Sequence, residues 1–90
     1  MERISILIKG QVQGVYFRAF IKERAEELGL KGYTKNIDKD SIETVVEGHE
    51  AKVKKFLESI KKGPNGSIVE EFKISKENYT GEFNSFKIKY

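Results

Sequence analysis

The stretch Gly10-Gln11-Val12-Gln13-Gly14-Val15-Tyr16-Phe17-Arg18 holds the residue types and spacing in this chain that could do chemistry. Glycine permits left-handed and close-approach backbone. If a helix starts near Phe17, the N–H groups of its first turn have no partner within the helix. Such groups, aligned with the positive end of the helix dipole, form an anion site, to which the dipole contributes about 0.3–1 kcal/mol. Arg18 could add a bidentate guanidinium contact to a phosphate, a charge-assisted bond of about 1.5–3 kcal/mol, for which a lysine would be a poorer substitute. Taken alone, the segment reads equally well as a strand-to-helix turn with two geometric glycines and a surface arginine. It carries neither the Gly-Lys-Ser/Thr of a nucleotide-binding loop nor a Gly-x-Gly-x-x-Gly dinucleotide fingerprint.

Chain geometry adds Asn36. A helix from Phe17 to Leu28 descends about 17–18 Å, and a strand from Leu30 to Asn36 returns about 20 Å. The two lengths nearly cancel, so Asn36 is expected at the same end of the sheet as the loop. There its amide could orient a water beside a bound phosphorus. The plainer alternative is an asparagine that favours the coming turn. His49, the sole histidine, follows Gly48 at the expected start of a second helix and reads as a solvent-facing turn residue outside the site. Tyr16 could flank a substrate or merely pack at the loop, Phe17 and Phe20 read as core, and Lys61-Lys62 complement a helix C-terminus.

The elements that must position these groups follow from periodicity. Ile4, Ile6 and Ile8 alternate into a strand that ends at Gly10. Phe17, Phe20, Ile21, Ala25 and Leu28 recur at helical spacing, and Gly29 closes that helix. Leu30 to Ile37 and Ile42 to Glu47 read as a hairpin around Asp38-Lys39-Asp40-Ser41. Val53, Phe56, Leu57 and Ile60 mark a second helix, stopped at Gly63-Pro64. Ile68, Phe72 and Ile74 share one parity in a fourth strand, Glu77 to Glu82 reads as loop, and Phe86, Ile88 and Tyr90 share one parity in a last strand. The order predicts an α+β, ferredoxin-like βαββαβ sandwich: two helices on one face of a largely antiparallel sheet, with an extra C-terminal strand.

With 90 residues the chain is read as a single domain over 1–90. It has no Cys, which removes a disulfide framework, a thiolate nucleophile and a Cys-based metal site. Lys and Arg number 17 against 14 Asp and Glu, a mild excess interleaved along the chain, so a solvated mixed-charge surface is preferred over a nucleic-acid face. No apolar run approaches bilayer length and no basic segment precedes an apolar one at the N-terminus. The expectation is a cytoplasmic monomer that binds neither membrane nor nucleic acid.

Gly10-x-Val12-Gln13-Gly14-Val15-x-Phe17-Arg18 resembles the signature loop of the acylphosphatases, complete at its fixed positions. Leu28-Gly29-Leu30-x-Gly32-Tyr33-Thr34-x-Asn36 resembles that family's second motif, followed by Val46-Glu47-Gly48, Gly63-Pro64 and Phe83-x-x-Phe86-x-Ile88. The resemblance spans nearly the whole chain. It implies hydrolysis of a small-molecule acyl phosphate to a carboxylate and inorganic phosphate, with no metal and no organic cofactor. It further implies that the loop Gln13, Gly14, Val15, Tyr16, Phe17 and Arg18 holds the phosphate, and that Arg18 and Asn36 are catalytic, Asn36 orienting the water. Tyr33 stands where the family often has Trp, Thr34 where Val is frequent, and Lys39-Asp40 where Asp-Gly is common in the hairpin turn. That last change is expected to alter turn stability and to leave the chemistry intact.

Few residues suffice for such a reaction. The leaving carboxylate has a conjugate-acid pKa of about 4, so no general acid is needed. The barrier is repulsion between the phosphate dianion and the nucleophile, which backbone N–H groups and Arg18 can relieve. The loop contains no carboxylate or imidazole, leaving a phosphate oxygen of the substrate as the candidate proton acceptor. Two rivals stand beside this reading. An RNA-recognition module shares the element order, but Lys31-Gly32-Tyr33 continues as Thr34-Lys35-Asn36, without that module's aromatic pattern and on the second strand instead of the third. A catalytically silent phosphate-binding or regulatory module is the other, since similar domains occur fused within larger proteins that handle carbamoyl phosphate.

Overall fold

The structure is a computed structural model that describes residues 1–13 and 16–90. The Gly14 and Val15 of the expected phosphate loop lie outside the described residues. The elements run β1 (Glu2–Gln11), α1 (Phe17–Glu27), β2 (Lys31–Asp38), β3 (Ser41–Gly48), α2 (Glu50–Lys62), β4 (Ile68–Glu77) and β5 (Phe86–Lys89). They build one five-stranded sheet in the order β4-β1-β3-β2-β5. Every pairing is antiparallel except β2 with β5, which is parallel. The expected ferredoxin-like sandwich is the architecture observed.

Period-two alternation in the central strands puts Ile4, Ile6 and Ile8 of β1 on the same face as Val46, Thr44 and Ile42 of β3. Both helices lie on that face. Phe17, Ile21 and Ala25 of α1 and Val53, Phe56 and Ile60 of α2 recur every three to four residues, and all are buried against it. The core face also holds the buried threonines Thr34 and Thr44, whose hydroxyls bond to each other at 2.9 Å, so neither is left unsatisfied. Gly32 of β2 has φ +147°, and a Cβ there would stand 1.9 Å from the Val45 carbonyl oxygen. Only glycine fits that crossing of β2 over β3.

Two local expectations are corrected. Ile68 does not share the core face with Phe72, because β4 bulges: Lys9 pairs with Glu71 but Gly10 pairs with Val69. The extra residue inverts the alternation, so Val69 packs on the core while Ile68 is 53 % exposed. Glu77 belongs to β4 and not to the following loop. The β2–β3 turn also works without the family's glycine, since neither Lys39 nor Asp40 adopts a positive φ. Asp38 Oδ1 accepts from the Asp40 N–H at 2.9 Å, which closes an Asx turn in place of a left-handed one.

The face of the sheet opposite the helices is crossed by the segment 78–85, which carries the chain from β4 at one edge to β5 at the other. A buried carboxylate staples this crossing. Glu47 accepts from the N–H of Thr80 at 2.9 Å, from the Thr80 hydroxyl at 3.0 Å, from the N–H of Gly81 at 3.1 Å and from Arg3 at 3.2 Å. Arg3 also donates to Glu77 and Glu82, and its guanidinium lies over the ring of Phe83. Burial pushes the Glu47 carboxyl up, but hydrogen bonds from Thr80 and Arg3 outweigh it and hold the group below its ordinary value. The Arg3 hydrogen bond does the same for Glu82.

Both carboxyls therefore have folded pKa values below their unfolded ones, near about 4.3 for Glu. The stability they contribute is complete above that pH and is lost as pH falls through the lower folded values. Urea midpoints measured against pH should thus drop on acidification below about pH 4.3, and Glu47→Gln should make that drop shallower. Gly32→Ala should cost about 2–4 kcal/mol in the same urea assay, since it adds both a backbone clash and a disfavoured φ.

Candidate functional site

β1 runs out at Gln11, and the chain must turn to enter α1 on the core face. Tyr16 makes the last step of that turn with φ 58° and ψ 29°, the left-handed region, and no side chain caps the helix it opens. For a non-glycine residue this conformation costs about 1–2 kcal/mol. The Tyr16 carbonyl accepts from Phe20 at 2.9 Å and so begins the helical ladder. The N–H groups of the first turn are thereby directed out of the end of α1. The Phe17 ring is buried, edge-on to Phe20 at 6.3 Å, so what Phe17 can offer an anion is its backbone.

A cavity of about 420 Å³ opens at this end of α1. Its polar side is made by Gln13, Arg18 and Asn36, and its apolar side by Val12, Ala19, Ile88 and Tyr90, with Tyr16 and Phe17 at the helix start. The length argument that set Asn36 at the loop end of the sheet is thus met by the structure. Asn36 shares the core-facing parity of Gly32 and Thr34 and sits at the last regular pair of β2, opposite Ile42. A register shift between Asn36 and Asp38 follows, leaving Ile37 bulged and half exposed. Gln13 donates from its amide to the Asp38 carbonyl, which ties the start of the loop to the end of β2.

Arg18 is held from the other side. Its Nη1 donates to the Lys89 carbonyl at 3.1 Å, and its Cζ lies 4.8 Å from the centre of the Tyr90 ring. These partners, with Ile88, are site residues that the sequence reading missed. The parity of Phe86, Ile88 and Tyr90 was available as a signal. What it lacked was the neighbour: the parallel pairing of β5 with β2, Gly32 to Phe86 and Lys35 to Lys89, is what brings those residues beside Asn36. His49 is the N-cap residue of α2, exposed and absent from the cavity lining.

Among the described residues that line the cavity no side chain is a carboxylate, imidazole or lysine. Arg18 is the one cation in that lining. The arrangement can therefore bind and orient an anion and a water, and it offers no side-chain acid or base of ordinary strength near neutral pH. Among the described residues no group of three or more His, Cys, Asp or Glu side chains could hold a metal ion.

The acylphosphatase family profile matches residues 4–88 of the chain. An acylphosphatase of Aeropyrum pernix is 43% identical over 89 residues, spanning 98% of this chain and 88% of that one. An acylphosphatase of Syntrophus aciditrophicus is 37% identical over 90 residues, spanning 100% and 94%. The crystal structure of acylphosphatase from Bacillus subtilis superposes with a TM-score of 0.95 at 32% identity, each chain covered in full.

Proposed function

Because the chain belongs to the acylphosphatase family and hydrolyses acyl phosphates to a carboxylate and inorganic phosphate, we propose that the cavity at the N-terminus of α1 is where it does so. One observation carries this reading: Arg18 and Asn36, on separate elements, line one cavity whose other described side chains are apolar or uncharged. In this proposal the loop Gln13, Gly14, Val15, Tyr16, Phe17 and Arg18 grips the phosphoryl group, through backbone N–H groups and the Arg18 guanidinium. These donors stabilise charge on the equatorial oxygens as the bond to the leaving carboxylate lengthens. The Asn36 amide holds the attacking water in line with that bond.

The missing acid and base fit the substrate. A carboxylate departs without protonation, and a phosphoryl oxygen is the acceptor for the proton of the water. Arg18 also needs orientation, which the Lys89 carbonyl supplies by fixing one Nη1–H and leaving the remaining donors for phosphate. The same proposal takes residues 1–90 as one domain acting as a monomer in the cytoplasm, without nucleic acid. Lys87 and Lys89 on the edge strand β5 support the monomer, because edge lysines oppose strand-to-strand pairing. No helix of the described residues is long and apolar enough to cross a membrane.

The test is phosphate release from benzoyl phosphate with EDTA present, set beside inhibition by inorganic phosphate. Arg18→Ala should weaken phosphate inhibition and turnover together, while Asn36→Ala should lower kcat by about 100-fold or more and leave phosphate inhibition nearly unchanged. An Asn36→Ala enzyme with normal kcat would refute the water-orienting role. Metal-dependent turnover, abolished by EDTA, would refute the metal-free mechanism.

A further inference from the structure

The last registered pair between β2 and β5 sets Lys35 opposite Lys89. Like charges directly opposite one another across a strand pair repel. These two close a strand of four residues that has a neighbour on one side only. Such an end is expected to fray, yet it is the Lys89 carbonyl that accepts from Arg18 Nη1 at 3.1 Å. The backbone must therefore be held at the point where the repulsion falls.

The means lie on the far face of the sheet. Thr34 and Ile88 form a pair of core-facing parity, so Tyr33, Lys35, Lys87 and Lys89 leave on the face opposite the helices. The Lys89 Nζ lies 3.9 Å from the centre of the Tyr33 ring, and the Lys35 Nζ lies 6.0 Å from it. At such distances the face of an aromatic ring attracts a cation. The ring is itself fixed at two points. Its hydroxyl donates to Glu43 Oε1 at 2.7 Å, and the ring meets Phe83 at a centroid distance of 5.9 Å. Glu43 also draws the Lys35 ammonium, at 3.9 Å. Lys89 thus joins the two faces, with its side chain over Tyr33 and its carbonyl at the cavity.

We propose that Tyr33 is a positioning residue for the reaction: it holds Lys89 on the open face of the sheet, and the Lys89 carbonyl thereby fixes the Arg18 guanidinium on the other. This rests on the reading of Arg18 as the cation that grips phosphate. Tyr33 is absent from the cavity lining, so it acts only through the residues it holds. A guanidinium carries its five N–H donors in one rigid plane. A shift of the carbonyl that fixes one of them turns the others away from a bound phosphate.

The test is the inhibition constant of inorganic phosphate against benzoyl phosphate turnover. Lys89→Met and Tyr33→Leu should each raise it about threefold, and the two together no further. Lys89→Arg, which keeps a cation over the ring, should behave as wild type. So should Lys87→Met, which removes the same charge from the same strand and face. In an Arg18→Ala background neither Lys89→Met nor Tyr33→Leu should change the residual inhibition. Where Tyr33→Leu fails to fold, Lys89→Met decides alone, because Lys89 is exposed.

An unchanged constant in Lys89→Met would overturn the role of Tyr33. An equal rise in Lys87→Met would do the same, since the effect would then be one of surface charge. So would a threefold rise that persists in the Arg18→Ala background. Weakened inhibition in Arg18→Ala beside an unchanged Lys89→Met removes the positioning role alone, whereas wild-type inhibition in Arg18→Ala removes the phosphate site and the positioning role with it.

Discussion

The apolar stripes of α1 and α2 have one place to go, and the rest of the structure depends on that burial. Phe17, Ile21 and Ala25 can leave water only by lying on the face of Ile4, Ile6, Ile8, Ile42 and Val46 that Val53, Phe56 and Ile60 also cover. Each of the Phe, Ile and Val side chains among them contributes about 1.5–3 kcal/mol when fully buried. Because Phe17 is both the first residue of α1 and a core residue, the start of the helix is pinned to the sheet by packing. The N-terminal N–H groups, proposed here to bind the anion, consequently need no cap to fix their direction. The packing that stabilises the fold also aims the site.

A second constraint acts from the opposite face. β5 is only four residues long and sits at a sheet edge, yet it supplies the Lys89 carbonyl to Arg18 and positions the Tyr90 ring that follows it. It reaches that edge by the 78–85 crossing, which Glu47 and Arg3 secure with partly buried hydrogen bonds. The Tyr33 ring meets Phe83 edge-on on the same face, its hydroxyl bonds to Glu43, and burial followed by that bond pushes its pKa up to about 12. The charges on this face are thus arranged around the return of β5.

The fold was legible because its local signals agree with one another: alternation in β1, helical spacing in α1 and α2, and glycine or proline at the breaks. Asn36 was legible for a metric reason, as a helix and a strand of nearly equal length return the chain to the same end of the sheet. Where local pattern misled, the cause was a backbone irregularity that side-chain type does not report. The bulge in β4 turned Ile68 outward and Val69 inward without any change in composition. The roles of Ile88, Lys89 and Tyr90 were hidden for a different reason. Their parity was plain, but strand order is a long-range property, and no residue between 78 and 85 says which edge the last strand will join.

The central claim is that an anion is bound where α1 begins and β2 ends. The most direct measurement is the change in backbone and side-chain amide NMR signals as inorganic phosphate is added to the wild-type protein. The account predicts saturable shifts concentrated at the amides of residues 13–19 and at the Asn36 side chain. Shifts centred instead on the lysines of the opposite sheet face, Lys31, Lys35, Lys87 and Lys89, with the start of α1 unmoved, would contradict it.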